Sequence, residues 1–166
     1  MTNNMGRIVS RQELTTIVAD VKKQGKRIVT TNGAFDILHV GHVRSLQQAR
    51  SFGDVLIVGV NADSSVKKYK SDKRPVIPEQ DRAEMLASLA CVDYVTIFEE
   101  TDPCALLEVI QPHVHVKSGD YDPEKMIETP VVRKYGGEVR ITRFIPGIST
   151  TAIIKRISEV YGQNPA

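Results

Sequence analysis

A chain of 166 residues with 41% hydrophobic and 25% charged residues is long enough for one domain with a real core, and ordinary for a soluble globular protein. Its formal net charge of +2 gives no case for nucleic acid or a membrane surface as partner, so any anion site must be local. The two cysteines, Cys91 and Cys104, lack C-x-x-C spacing, which argues for a reducing compartment and against a disulfide framework, a zinc site or redox chemistry.

The start, MTNNMGRIVS, has no signal-peptide core, and the longest clear apolar run, residues 55–60, is far too short to span a membrane; the expected location is the cytoplasm. Ser10 and Glu13 form a capping box ahead of Leu14, Ile17, Val18 and Val21 at helical spacing, and Gly25 ends that helix. Residues 26–31 are rich in β-branched side chains and predict a strand, followed by a turn at Asn32-Gly33. Val43, Leu46 and Ala49 predict a helix over 40–51. Residues 55–60 predict a strand covered on both faces. Residues 61–78 predict a polar loop carrying Lys67, Lys68, Lys70, Lys73 and Arg74. Pro78 opens a helix with Met85, Leu86 and Leu89; Cys91 beyond it is expected as a buried filler, and 92–98 as a strand. Thr101-Asp102-Pro103 caps a helix through Ile110, residues 114–117 form a strand, a short helix over 128–135 stops at Gly136-Gly137, and 138–142 form a strand. Ser149 opens a last helix reaching about Tyr161.

This alternation predicts an α/β fold: a single Rossmann-like, doubly wound, five-stranded parallel sheet with helices on both faces, in one domain over residues 1–166. Ligands of such sheets bind beyond the carboxyl ends of the strands, at a switch point. The unusual residues fall there: 33–42, 61–74, 118–120 and 148–151.

The stretch GAFDILHVGH, residues 33–42, carries His39 and His42 around Gly41. Metal ligation would need further ligands. A turn-to-helix junction points instead to phosphate, because a helix N-terminus offers free N–H groups and partial positive charge, and Gly41 permits close approach. His113 and His115 alternate along a strand, where packing roles are expected.

GAFDILHVGH resembles the H-x-G-H signature of a nucleotidyltransferase superfamily that includes cytidylyltransferases, pantetheine-phosphate adenylyltransferases and class I aminoacyl-tRNA synthetases. Ile148-Ser149-Thr150-Thr151 resembles the superfamily's I-S-[ST]-T element at the start of the last helix. The runs TNGAFDILHVGHVRSLQQAR, GDVLIVGVNADSSVKK, RPVIPEQDRAEMLASL and VKSGDYDPE, with GGEVR and STTAIIKRI, are similar to the D-glycero-β-D-manno-heptose 1-phosphate adenylyltransferases, from Thr30 to Ile157. That family is often half of a fused kinase–adenylyltransferase; 166 residues leave no room for a sugar kinase, so the chain resembles the stand-alone form or an excised domain.

The resemblance implies transfer of AMP from ATP to the heptose 1-phosphate, giving ADP-heptose and pyrophosphate for surface glycan. The acceptor phosphate is itself the nucleophile, so the protein must align two anions and neutralise charge. It further implies that His39 and His42 donate to the ATP phosphates, and that Lys70, chosen over Lys67 and Lys68, reaches them as well. Ala34, Phe35 and Gly41, Gly119 and Asp120, and Ile148, Ser149 and Thr150 would meet the nucleotide, with Ser149 and Thr150 also readable as an N-cap. Asp36 fixes the turn or binds substrate or metal. Arg82 holds phosphate or a structural carboxylate, and Lys117 is a candidate for substrate phosphate. Mg²⁺ is expected with ATP, with no dedicated metal site in the chain, and a homodimer is expected from the family. Two departures stand out: Phe144-Ile145-Pro146-Gly147 replaces the R-T-E-G of glycerol-phosphate cytidylyltransferases, and Ser118 stands where heptose enzymes often have glycine. The alternatives are a cytidylyltransferase for a small alcohol phosphate such as glycerol 3-phosphate, and a non-catalytic nucleotide-binding module.

Overall fold

Val55–Asn61 is buried at every position, as a strand must be when both faces of its sheet are covered. In the computed structural model, which describes residues 5–142 and 147–162, this strand is β3 of a six-stranded sheet. Its companions are β1 (Arg7–Ile8), β2 (Ile28–Gly33), β4 (Tyr94–Phe98), β5 (Val114–Ser118) and β6 (Glu138–Thr142). The order is β1-β4-β3-β2-β5-β6, with every neighbouring pair parallel. The expected five strands become six because β1 has only two residues, both exposed, and so carries no readable alternation.

Among the described residues seven helices accompany the sheet: α1 (Arg11–Lys23), α2 (Val40–Arg50), α3 (Asp63–Tyr69), α4 (Glu79–Ala87), α5 (Cys104–Ile110), α6 (Glu128–Lys134) and α7 (Thr150–Tyr161), with a 3-10 turn at Pro123–Lys125. The side-chain alternation of β3 sorts two cores. Leu56, Val58 and Val60 pack with Leu46 and Ala49 of α2 and Ala83, Leu86 and Ala87 of α4. Val55 and Ile57 pack with Leu14, Val18 and Val21 of α1 and Leu106 and Ile110 of α5. Each such side chain, when fully buried, contributes about 1.5–3 kcal/mol. The α1 start is the expected capping box: Ser10 Oγ accepts from the Glu13 amide at 3.2 Å, and Glu13 Oε2 accepts from the Ser10 amide at 2.8 Å.

Several local expectations are corrected. Asn32-Gly33 is the end of β2, because both residues pair with β3 at Gly59 and Val60 and the chain turns only afterwards. The basic stretch after β3 contains α3, whose inner side is no more than Ser65 and Val66. Residues 92–93 precede β4, and Cys91 is half-buried. His113 and His115, two residues apart, share one side of their segment: His113 Nδ1 accepts from the Ile28 amide at 2.9 Å, while His115 is wholly buried with Nδ1 2.9 Å from Thr30 Oγ1. The run from Phe144 to Pro146 lies outside the described residues.

The sheet grows from β2 through β3 to β4 on one side and through β5 to β6 on the other. The reversal falls between β2 and β5, so a crevice opens past their carboxyl ends.

Candidate functional site

That crevice is a cavity of about 610 Å³, reached by Asn32 and Gly33 of β2 and by Lys117 and Ser118 of β5. Immediately after β2 the chain turns sharply, with Phe35 in the left-handed region at φ 49°. Four hydrogen bonds fix the turn. The Arg82 guanidinium donates to the Ala34 carbonyl, while Asp36 Oδ1 accepts from the Val76 and Ile77 amides at 2.6 and 3.0 Å. Asp36 Oδ2 is bonded by Arg74. With its carboxylate 1% exposed and so occupied, Asp36 is placed as a fixer of the turn.

α2 starts at the end of this turn, with His39 as its N-cap. His39 Nδ1 accepts from the His42 backbone amide at 3.4 Å, which leaves the ring's proton on Nε2 in the neutral form. The His39 and His42 rings stack at 3.8 Å and 16°, and Phe35 meets His42 edge-on at 5.3 Å. Burial, with His39 adding to it, pushes His42 down to about 4. Burial also lowers His39, partly offset by its own backbone. Two imidazoles stacked this closely are neutral near pH 7 without an anion between them and solvent, and each can then act as a hydrogen-bond donor. His42 Nδ1 is buried without a protein partner among the described residues.

Gly41 lines the cavity and also makes room for a neighbouring side chain. A Cβ there would stand 3.0 Å from Cε1 and Nδ1 of His39, so the missing side chain is what lets His39 fold back over its own helix. Gly41→Ala is therefore expected to displace the His39 ring and weaken its cap on α2 while alanine favours the helix, two effects of about 1 kcal/mol each that offset and leave the melting midpoint close to that of the unsubstituted chain. Melts, with the His39 imidazole resonances followed alongside, check this.

α7 brings a second helix start to the same cavity. Ile148, Ser149, Thr150 and Thr151 all line it, and Ser149 Oγ caps the helix by accepting from the Ala152 amide at 3.1 Å. Lys70, the residue that ends α3, lines the cavity, whereas Lys67 and Lys68 do not. Lys117 lines it too, with Nζ 3.0 Å from Asn32 Oδ1 and 2.8 Å from Glu128 Oε1.

Three expected site residues lie off the cavity wall. Arg82 is fully buried and donates to Asp63 Oδ1 at 2.6 Å and Ile77 O at 2.8 Å besides Ala34, so its charged partner is a structural carboxylate and its side chain presents no surface to the cavity. Gly119 and Asp120 are replaced at the wall by their neighbours Ser118 and Tyr121. Gly119 instead has φ 139°, and a Cβ there would meet the Tyr121 ring at 2.8 Å. Sequence reasoning missed Asn61, Tyr69, Arg74, Asp102, Tyr121 and Glu128 on the wall. Asn61, Tyr69 and Arg74 fall in the stretch 61–74 expected past a strand end, and the Thr101-Asp102-Pro103 signal reads as a cap: Asp102 Oδ1 does accept from the Cys104 amide at 2.9 Å.

The buried histidines set an acid limit. An unfolded histidine titrates near 6.5, whereas His42 is held near 4 and His115, buried and close to Lys117, near 3. The unfolded chain therefore binds protons first, and stability present above pH 6.5 declines as pH falls toward 4. Thermal melts should show a midpoint that drops between pH 6.5 and 5; a flat midpoint there contradicts the burial of these rings.

Comparison with known proteins places these features in context. Residues 30–156 match the family described as cytidylyltransferase-like. Proteins called bifunctional protein HldE are similar over most of the chain: 49% identical over 93% of it in Pelobacter propionicus, and 51% over 90% in Geobacter metallireducens. The chain spans about a third of their length, 32% and 31% respectively. Among solved structures, a lipopolysaccharide core biosynthesis protein from Thermoplasma volcanium superposes with a TM-score of 0.59 at 29% identity, covering 73% of this chain and 98% of that one. Pantothenate synthetase from Thermus thermophilus shares the fold, with a TM-score of 0.62 at 16% identity over 95% of this chain and 76% of that one.

Proposed function

The chain belongs to the cytidylyltransferase-like family, and from that membership we propose that it is an adenylyltransferase joining AMP from ATP to D-glycero-β-D-manno-heptose 1-phosphate, with release of pyrophosphate. The observation that carries the reading is the meeting of two helix starts, those of α2 and α7, with His39, His42 and Lys70 on one cavity. This array suits a triphosphate, and it needs no side-chain nucleophile.

In this mechanism an acceptor phosphate oxygen bonds to the α-phosphorus of ATP. The bond from that phosphorus to the bridging oxygen breaks, and the electron pair leaves with pyrophosphate. No proton has to move. The imidazole N–H groups and the Lys70 ammonium donate to oxygens whose charge grows in the transition state, while the two helix starts hold the phosphates in line. Ala34, Phe35 and Ile148 contribute the wall beside the nucleotide.

Mg²⁺ would arrive on the triphosphate and screen its charge. Among the described residues no three His, Cys, Asp or Glu side chains group to hold an ion, and Asp36 is occupied by Arg74 and two amides. No step is routed through a resident metal. No described helix is long and apolar enough to cross a membrane. We place the enzyme in the cytoplasm as a homodimer, a reading supported by Ile157, Val160 and Tyr161 of α7, which are exposed apolar residues.

Incubation with ATP or CTP, and with the heptose 1-phosphate or glycerol 3-phosphate, tests the proposal by pyrophosphate release. Turnover is expected with ATP and the heptose. Turnover confined to CTP and glycerol 3-phosphate overturns it, as does no turnover with any pair.

A further inference from the structure

The cavity has two chemically different sides. Around α2 and α7 it presents helix starts and imidazoles, which suit phosphate. On the side of α5 and α6 it presents Asp102, Glu128, Asn32 and Lys117. Glu128 is only 5% exposed, yet it reaches the cavity, and its Oε1 holds Lys117 Nζ. The Lys117 ammonium has three N–H donors; Glu128 takes one and Asn32 Oδ1 another, so one remains. Asp102 engages the Cys104 amide through Oδ1. Cys104 ties the two segments together: its amide donates to Asp102, and its thiol lies 3.6 Å from the carbonyl of Ile127, the residue before Glu128.

A carboxylate only accepts hydrogen bonds, and each has more lone pairs than these contacts use. Two carboxylates served by a single cation repel a second anion, so a phosphate is not what they face. They suit a neutral group rich in O–H donors. A sugar 1-phosphate has both ends: an anion, and a ring and side arm bearing hydroxyls.

Resting on the adenylyltransferase reading, we propose that Glu128, with Asp102 on the same side of the cavity, is the specificity-determining group for the acceptor, accepting hydrogen bonds from its hydroxyls, while Lys117, held by Glu128, keeps one N–H for the same end of the acceptor. The acceptor then lies with its phosphate toward α2 and its hydroxyls toward α6. Sites built to pair with a hydroxyl reject analogues that lack it, because the buried acceptor is left unpaired.

The test is kinetic. Wild type, Glu128→Gln and Asp102→Asn are assayed for ADP-sugar formation with the heptose 1-phosphate and with mannose 1-phosphate, its analogue one carbon shorter. Melting midpoints and the KM for ATP are measured beside them. Glutamine keeps the shape of Glu128 but not its charge or its full acceptor capacity. The expected result is a rise of about tenfold or more in KM for the heptose phosphate, a reduced preference for heptose over mannose, and a KM for ATP within about twofold of wild type. Asp102→Asn is expected to move the same quantities in the same direction. If both variants keep the wild-type preference, or if KM for ATP rises in step with that for the acceptor, Glu128 is merely a structural partner of Lys117 and the inference falls. If wild type forms no ADP-sugar from either acceptor, the adenylyltransferase reading falls and takes the inference with it.

Discussion

His39→Asn is expected to lower the rate of pyrophosphate release by about 10²–10³-fold at saturating ATP, on the order of 3–4 kcal/mol of transition-state stabilisation, with a melting midpoint close to wild type. The two effects separate because His39 does two jobs. Its Nδ1 caps α2 by accepting from the His42 amide, and asparagine is as good a cap as any residue. What asparagine lacks is an imidazole whose Nε2–H can reach a phosphate while the cap is kept. His42→Ala should lose activity to a similar extent, but with some loss of stability, because its ring packs against both His39 and Phe35. Turnover within about threefold of wild type for both variants would remove the imidazoles from the chemistry.

Arg82→Met is expected to cost about 3–5 kcal/mol of stability, the typical penalty for breaking a buried charge pair by removing one partner, and to lower the melting midpoint by roughly 10 °C or more. Its guanidinium serves three oxygens on three segments: Ala34 at the turn after β2, Asp63 at the start of α3, and Ile77 ahead of α4. Arg82→Lys should fail to rescue it, since a single ammonium cannot reproduce the planar fork. The Arg133 pair with Glu124 is the contrast: both side chains are exposed, and Arg133→Ala should leave the midpoint where it is. Chemical denaturation of the three variants side by side decides the matter. A loss at Arg82 no greater than at Arg133 would show that the buried network is not what holds these segments.

The sequence was most readable where one residue type can do only one thing. A fully apolar run such as 55–60 has to be a covered strand, and a serine three residues before a glutamate ahead of an apolar stripe has to be a helix start. The histidine turn and the Ser149 cap were visible for the same reason, and the structure brings both to one cavity although they are distant in the chain. β1 was invisible because two exposed residues carry no period. Asn32-Gly33 misled because that dipeptide usually marks a hairpin, whereas here the strand runs on through it beside β3. α3 was hidden by its lysines, which dominate the composition of a segment whose buried side is two small or branched residues. Asp102 was legible only as a cap and Glu128 only as the start of a short helix: a carboxylate in a polar stretch looks solvated until the fold shows which lysine or amide it meets. Arg82 shows the same ambiguity from the cationic side, since only its burial separates a phosphate ligand from a structural tie.

The two sides of the cavity also come from different stretches of chain. Both helix starts and the histidine turn belong to the frame, whereas Tyr121, Ile127 and Glu128 all belong to the crossover that links β5 to β6. That crossover enters and leaves through paired strands whose register is fixed from Val114–Glu138 to Ser118–Thr142. It can therefore diverge, lengthen or be exchanged between relatives as a cassette. Variation in acceptor choice would then be carried by this segment together with the turn that holds Asp102, while the machinery that handles the triphosphate stays constant.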